Sequence, residues 1–286
     1  MVSINEAIEK AAVMLKTGQV DMPKQKARLL MQFVLNKPRQ YLIVYDKKIL
    51  TKKQEEKYIF YVNKLKMGTP LQHITHMQEF MKLNFYVDED VLIPRPDTEC
   101  LVEEVLQKAR VNKFRKILDL CTGSGAIAVS LAKYINKSEI TASDLSDKAL
   151  KIAKKNAKVN QVENQIYFLK SDLFARIPKT KFDMIISNPP YIKRDVIKKL
   201  NKDVQNEPQM ALDGGWDGLD FYRKIVKDAP KYLKNKGYLC LEIGYDQKED
   251  VMDIIKYENK FSKLICKKDL FGNDRVILAK YEAKLD

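Results

Sequence analysis

The residues best equipped for chemistry are Asn188-Pro189-Pro190-Tyr191, which follow the apolar run Phe182-Asp183-Met184-Ile185-Ile186. That run has the pattern of a buried strand. Pro189 has a fixed φ and no N–H for a sheet ladder, so the chain must leave the sheet there. Open α/β sheets bind ligands at this carboxyl edge. The Asn188 side-chain oxygen and the Pro189 carbonyl can each accept one N–H, which makes a clamp for a planar NH2 group. Tyr191 can pack its ring over that group. An amide nitrogen is a poor nucleophile because it shares its lone pair with the carbonyl. Two fixed acceptors would stabilise the positive charge developing on it, as an oxyanion hole does with the opposite sign. The chemistry suggested is methylation of an amide or amino nitrogen, with Asn188, Pro189, Pro190 and Tyr191 as catalytic residues. The competing interpretation is a proline-rich turn carrying a structural tyrosine.

A donor site is legible upstream. The segment Asp119-Leu120-Cys121-Thr122-Gly123-Ser124-Gly125-Ala126 follows another apolar run. It has neither the spacing of a dinucleotide fingerprint nor that of a P-loop. Its glycines allow a tight turn and close approach of a ligand. The helix N-terminus that follows suits a carboxylate, which an amino-acid-bearing cofactor supplies. A second strand ends at Ser143-Asp144, where a carboxylate can accept both ribose hydroxyls. A third ends at Lys170-Ser171-Asp172-Leu173, which offers an acid and an apolar side chain to an adenine. Singly, each acid is equally a helix cap or turn residue. At consecutive strand ends beside Asn188 they point to S-adenosylmethionine, with S-adenosylhomocysteine as product. The expected cofactor-binding residues are Cys121, Thr122, Gly123, Ser124, Gly125, Asp144, Asp172, Leu173 and Asn188. A sulfonium donor is already activated, so the reaction needs alignment more than acid catalysis.

These residues need a scaffold, and the hydrophobic periodicity supplies one. Residues 1–75 are expected to form a small helical bundle. Its first helix carries Ile4, Ala7, Ile8, Ala11, Ala12, Met14 and Leu15 on one face behind a Ser3 cap. A second helix spans Lys24 to Leu35. A third begins at the Thr51/Gln54 capping box and stops at Gly68. Residues 76–96 are expected to be a β-hairpin and linker with Asp88-Glu89-Asp90 at its turn, and Asp97 or Thr98 caps the helix beyond. Residues 97–286 alternate strands and helices: Ile117–Leu120, Glu139–Asp144, Gln165–Ser171, Phe182–Ser187 and Tyr238–Ile243. Two closing strands, Lys263–Lys267 and Arg275–Lys280, flank a Gly272-Asn273 turn. Such alternation specifies a doubly wound, mostly parallel α/β sheet.

Composition narrows the class. With 286 residues, 45% hydrophobic and 31% charged, the chain has the makeup of a globular protein of two domains. No apolar run is long enough to span a bilayer, and the first thirty residues carry acids with no signal-peptide core, so a cytoplasmic protein without a membrane role is expected. Cys100, Cys121, Cys240 and Cys266 are scattered, as reduced and mostly buried thiols would be. His73 and His76 have no third ligand close in sequence, so no metal site is expected. The net charge is +14, and residues 1–75 hold 14 Lys and Arg against 6 Asp and Glu. That asymmetry fits either a docking module for an anionic partner or a solvated basic surface.

With these motifs in hand, the sequence resembles the bacterial and organellar peptide-chain release factor glutamine methyltransferases over nearly its whole length. The resemblance is carried by Gly68-Thr69-Pro70-Leu71-Gln72, Glu79-Phe80 and Val91-Leu92-Ile93-Pro94-Arg95-Pro96-Asp97-Thr98-Glu99. It extends through Asp119 to Ala126, Asn188 to Tyr191, Glu207-Pro208, Ala211-Leu212, Gly214-Gly215, Asp217-Gly218-Leu219, Leu241-Glu242-Ile243-Gly244 and Asp274-Arg275-Val276. His76, Lys82 and Cys121 stand where the family commonly has glycine, and Leu173 where some relatives have tryptophan.

The resemblance implies a Rossmann-like class I S-adenosylmethionine-dependent methyltransferase sheet with an N-terminal helical bundle and a hairpin linker. It implies N5-methylation of the glutamine in the Gly-Gly-Gln loop of class I release factors, which bears on translation termination. Cys121 to Gly125, Asp144, Leu173 and Asn188 match its cofactor positions, and Asn188 to Tyr191 its glutamine site.

Two other classes compete. The Asn-Pro-Pro-Tyr motif also occurs in N6-adenine methyltransferases of DNA or RNA, which the +14 charge would suit. Such enzymes extrude their target base, and neither a recognition insertion nor helix-turn-helix spacing is evident, so direct nucleic-acid binding is not expected. A non-catalytic docking protein on the same fold is disfavoured by the intact Asn188 and Asp144.

Overall fold

The structure is a computed structural model that describes residues 2–283, so the extreme ends of the expected 1–75 and 97–286 units lie outside the described residues. The chain divides into two compact units. One comprises Met1–Met77 with Leu200–Asn206, and the other Gln78–Lys199 with Glu207–Asp286.

In the first unit, α1 (Ile4–Thr17) starts at Ser3, whose hydroxyl accepts from Glu6 N while the Glu6 carboxylate accepts from Ser3 N. Two donors at the helix start are thereby satisfied. α2 (Pro23–Leu35), α3 (Arg39–Val44), α4 (Lys52–Lys66) and α5 (Leu71–Thr75) complete the bundle. α4 opens on the predicted Thr51/Gln54 capping box. The stripe Ile4, Ala7, Ile8, Ala11 and Leu15 packs against Leu30, Met31, Tyr58, Val62 and Leu65. The buried Tyr58 hydroxyl donates to the Ala27 carbonyl at 2.9 Å. A short helix at Lys202–Gln205, which the sequence pattern assigns to the later part of the chain, belongs to this unit. There Asn206 Nδ2 donates to the Gly68 carbonyl at 2.9 Å.

The second unit opens with a hairpin of β1 (Gln78–Phe80) and β2 (Leu83–Phe85). Its turn is Met81-Lys82, not Asp88–Asp90 as the alternation predicts. Both turn residues have positive φ, 50° and 59°, the mirror-image geometry that matches strand twist. Asp88 instead bends the following loop, accepting from Asp90 N at 3.0 Å. Beneath that bend Val87, Val91 and Ile93 pack on Ala149 and Ile152.

The sheet then forms from α6 (Pro96–Asn112), β3 (Lys116–Leu120), α7 (Ala126–Tyr134), β4 (Glu139–Asp144), α8 (Asp147–Val159), β5 (Ile166–Lys170) and β6 (Phe182–Ser187). After the small helices α9 (Arg194–Ile197) and α10 (Lys202–Gln205, the helix of the first unit) come α11 (Asp220–Asp228), β7 (Leu233–Glu242), α12 (Lys248–Tyr257), β8 (Phe261–Lys268) and β9 (Asp274–Tyr281). The seven strands lie in the order β5-β4-β3-β6-β7-β9-β8. All pairs from β5 to β7 are parallel, and β9 runs antiparallel to both of its neighbours. Alternate residues feed two cores. Ile117, Met184, Ile186, Cys240 and Leu278 face α6 and α7, while Leu118, Ile185, Leu239, Leu241 and Ile277 face α11 and α12. Burial on both faces is why these strands are almost continuously apolar. The strand order reverses between β3 and β6, which opens a crevice at their carboxyl ends. Among the described residues, no helix is long and apolar enough to cross a membrane. All four cysteines are free; Cys240 is fully buried, and Cys100, Cys121 and Cys266 are partly buried.

Candidate active site

A cavity of about 480 Å³ occupies the crevice. Cys121, Thr122, Gly123, Ser124, Asp144, Asp172, Leu173, Asn188 and Pro190 all border it. Gly125, Pro189 and Tyr191 are not among the bordering residues.

On the donor side, Asp144 is the hub. One carboxylate oxygen accepts from Gly123 N at 2.8 Å and the other from Ser146 N at 2.9 Å, so β4 and the glycine loop are stitched together. Burial raises the Asp144 pKa, and these backbone donors pull it back. Each oxygen keeps a second lone pair for a ligand. A Cβ on Gly123 would meet nothing within 4 Å, so the loop offers open space beside Asp144. Gly125 has a different task from the ligand approach predicted for it: a Cβ there would press on Ala153 of α8 at 3.0 Å, so this glycine lets two helices close up. Leu173 is held in the left-handed region (φ 46°), with Ser171 Oγ donating to its carbonyl at 2.8 Å. Surrounding protein and the nearby Asp144 charge push the Cys121 thiol far up, so it stays protonated and is no nucleophile.

On the acceptor side, Asn188 leaves β6 with its Nδ2 donating to Thr98 Oγ1 at 3.2 Å. Thr98 is therefore not the cap of α6; Arg95 holds that position, and Thr98 lies buried one turn in. Tyr191 is turned away from the cavity, its hydroxyl 3.4 Å from Glu242 Oε1. Its backbone is clamped, with Gln247 Nε2 donating to the Tyr191 carbonyl at 3.0 Å and Ile192 bridging to Asp213. Arg194 and Asp213, paired at 2.9 Å, border the same cavity with Asp220, Phe221 and Lys224.

Two buried carboxylates lie behind these groups. Burial lifts Asp119 to about 7, against the hydrogen bond from Thr122 Oγ1 at 2.6 Å. Burial likewise lifts Glu242 to about 7, and Asp97 adds to this, while Thr98, Arg275 and Tyr191 pull it down.

Three functional residues escape sequence pattern alone. Asn156 is fully buried in α8 and joins Tyr86 to the Ser124 carbonyl (2.8 Å) of the glycine loop. The available signal was an asparagine on the apolar stripe Ile152, Ala153, Ala157. Glu207 accepts from Ile93 N at 2.9 Å and pairs with Arg95, fixing the Pro94–Pro96 wall of the cavity. Glu242 accepts from the Tyr191 hydroxyl at 3.4 Å, meeting the motif's tyrosine from behind.

Residues 96–271 match a methyltransferase small domain, and residues 6–75 match a PrmC N-terminal domain. The chain is 40% identical over 279 residues to a release factor glutamine methyltransferase of Clostridium acetobutylicum, covering 96% of this chain and 98% of that protein. It is 40% identical over 269 residues to the protein of that name from Clostridium botulinum, covering 93% and 95%. The fold is also similar to that of a ribosomal protein L11 methylase from Lactobacillus delbrueckii subsp. bulgaricus (TM-score 0.50, 20% identity, 69% of this chain and 84% of that one).

Proposed function

The chain belongs to the release factor glutamine methyltransferase family, and from that premise we propose that it methylates N5 of the glutamine in the Gly-Gly-Gln loop of class I release factors, with S-adenosylmethionine as donor. The observation that carries this reading is one cavity bordered at once by the Gly123 loop, Asp144, Leu173 and Asn188. Asp144 has lone pairs for the ribose hydroxyls, and Asp172 and Leu173 flank the place of an adenine. The open space at Gly123 is the cradle a Cβ would narrow.

When bound, the sulfonium supplies an electrophilic methyl group. The protein's own work is alignment and electrostatics. Asn188 Oδ1 and the Pro189 carbonyl accept the two N–H groups of the substrate amide and so stabilise positive charge growing on its nitrogen. Pro189 and Pro190 fix the backbone that presents both acceptors. Tyr191 acts from behind, bracing that backbone against Glu242 and Gln247. Methylation would leave one surplus proton on the amide nitrogen, which would pass to solvent.

Residues 1–75, with their excess of Lys and Arg, are proposed to dock the release factor. Asn188→Ala tests the clamp. We expect methyl transfer to fall by roughly 10²–10³, the cost of one preorganised group, with cofactor affinity changed less. Unimpaired turnover in this variant would rule the clamp out.

A further inference from the structure

We propose that Trp216 is a docking residue for the protein substrate, gripping the release factor chain beside its Gly-Gly-Gln loop and not the glutamine itself. This rests on the methyl-transfer reading above. Trp216 is the chain's single tryptophan, and it is 84% exposed. Its loop is nonetheless fixed at almost every residue. Asp213 accepts from Gly215 N and from Arg194 Nε, each at 2.9 Å. Arg194 N donates to the Gly215 carbonyl at 3.0 Å, and Asp220 N to the Gly214 carbonyl at 3.2 Å. Asp217 accepts from Leu219 N at 3.1 Å and pairs with Arg223. Gly215 and Gly218, with φ of 94° and 78°, supply the left-handed turns on either side of the tryptophan. A large ring held out in water by so rigid a frame has little ordering entropy left to lose when a partner covers it, and tryptophan is the residue type most typical of such anchors.

The place of this loop identifies the partner. Gly214 N donates to the Ile192 carbonyl at 2.9 Å, and a Cβ on Gly214 would come within 2.7 Å of Tyr191 Cα. The loop therefore lies directly against the Asn188–Tyr191 motif. Gly215 borders the cavity, as does the half-exposed Met210, while Trp216 stands just outside it. A glutamine in the cavity is carried by a chain that must enter and leave across this rim. A small free amide would fill the cavity without reaching the ring. A folded protein brings the residues on either side of its loop onto it, and a tryptophan offers them a broad contact at the cost of two torsions. Met210, a flexible apolar side chain at the same rim, adds surface that can adapt to that chain.

The test compares Trp216→Ala, Trp216→Phe and Tyr257→Ala with the wild type, using labelled S-adenosylmethionine and a purified class I release factor. Trp216→Ala should raise KM for the release factor roughly 10- to 100-fold, with kcat at saturation within about threefold and cofactor affinity unchanged by calorimetry. Trp216→Phe should recover part of the loss. Tyr257→Ala removes a ring of similar exposure from the far end of α12 and should match the wild type. A wild-type KM in Trp216→Ala, or an equal rise in Tyr257→Ala, would overturn the docking role. A second readout follows the ring itself: with a single tryptophan, enzyme grown on 5-fluorotryptophan gives one 19F resonance. That resonance should shift when unlabelled release factor is added. A resonance unmoved at saturating release factor, or one that shifts with enzyme concentration alone because a second copy covers the ring, would also overturn the proposal. A wild-type protein that binds the cofactor but labels no release factor overturns the underlying reading and the docking role with it, whereas a wild-type KM in Trp216→Ala overturns the docking role alone.

Discussion

The backbone N–H of Ile93 donates to Glu207 across 114 residues of sequence, at 2.9 Å, and the same carboxylate pairs with Arg95. Two motifs far apart in the chain thus form one wall: the Ile93-Pro94-Arg95-Pro96 strap and the Glu207-Pro208 segment. Pro94, Arg95 and Pro208 border the cavity. The Glu207 side chain is 1% exposed and Arg95 36%.

Glu207→Ala leaves a buried N–H and a half-buried guanidinium without their acceptor. We expect a loss of about 2 kcal/mol, below the 3–5 kcal/mol for breaking a fully buried pair, because Arg95 can rehydrate. Glu207→Gln keeps an acceptor for Ile93 and should lose less. Urea unfolding of the three proteins measures the difference, and equal stability of Glu207→Ala and wild type would show that the strap holds without this carboxylate.

Asp144→Ala removes the acceptor proposed for the ribose hydroxyls and also unties Gly123 from Ser146. Cofactor affinity should drop by about tenfold or more, since hydrogen bonds to a charged group are worth roughly 1.5–3 kcal/mol. Calorimetric titration reads it, and an unchanged dissociation constant would exclude the ribose role.

Asp119 and Glu242 are both raised to about 7 in the folded protein, from 3.8 and 4.5. The folded state therefore holds these protons more tightly than the unfolded chain. Their stabilising contribution is complete below about pH 4 and is lost as the pH rises through about 7. Over that window Glu242→Gln should show a pH slope of stability that is less negative by up to about 1.4 kcal/mol per pH unit, one proton's worth. Guanidinium titrations at several pH values would reveal it, and parallel wild-type and variant curves would contradict the raised pKa.

Lys82 and Cys121 occupy positions with φ of 59° each, and His76 one of 56°, all in the left-handed region that glycine adopts freely. At the exposed hairpin turn nothing else opposes glycine, so Lys82→Gly should gain roughly 0.5 kcal/mol. That figure sets about 1–2 kcal/mol of relieved strain against about 0.5–1 kcal/mol of extra chain entropy. Thermal melts decide this, and a destabilised variant would mean that the lysine side chain contributes more than its backbone costs.

Lys82 also explains part of what the sequence hid. The hairpin turn was illegible because Met81-Lys82 carries none of the glycine or asparagine that normally marks such a turn, whereas Asp88–Asp90 carries strong but misleading turn chemistry. The sheet was legible almost throughout, because burial on both faces forces continuous apolar runs at β3, β4 and β6. So were both capping boxes, at Ser3 and Thr51, since they depend on residues three apart. The cavity's first layer, from Cys121 to Asn188, was legible as motifs at strand ends. Its supports were not. Asn156, Glu207 and Glu242 act through partners 32 to 114 residues away, and no local spacing encodes such pairings. Tyr191 illustrates the limit: its place in the motif suggested a ring over the substrate, while the fold turns its hydroxyl towards Glu242.

The central claim is that the Asn188 cavity methylates a glutamine amide of a release factor. Its most direct test is transfer from labelled S-adenosylmethionine to a purified class I release factor, run beside a Gln→Ala variant of its Gly-Gly-Gln loop and duplex DNA. Label is expected on the intact factor alone, mapped by mass spectrometry to the loop glutamine. Label on the DNA, or equal label on the Gln→Ala factor, would contradict it.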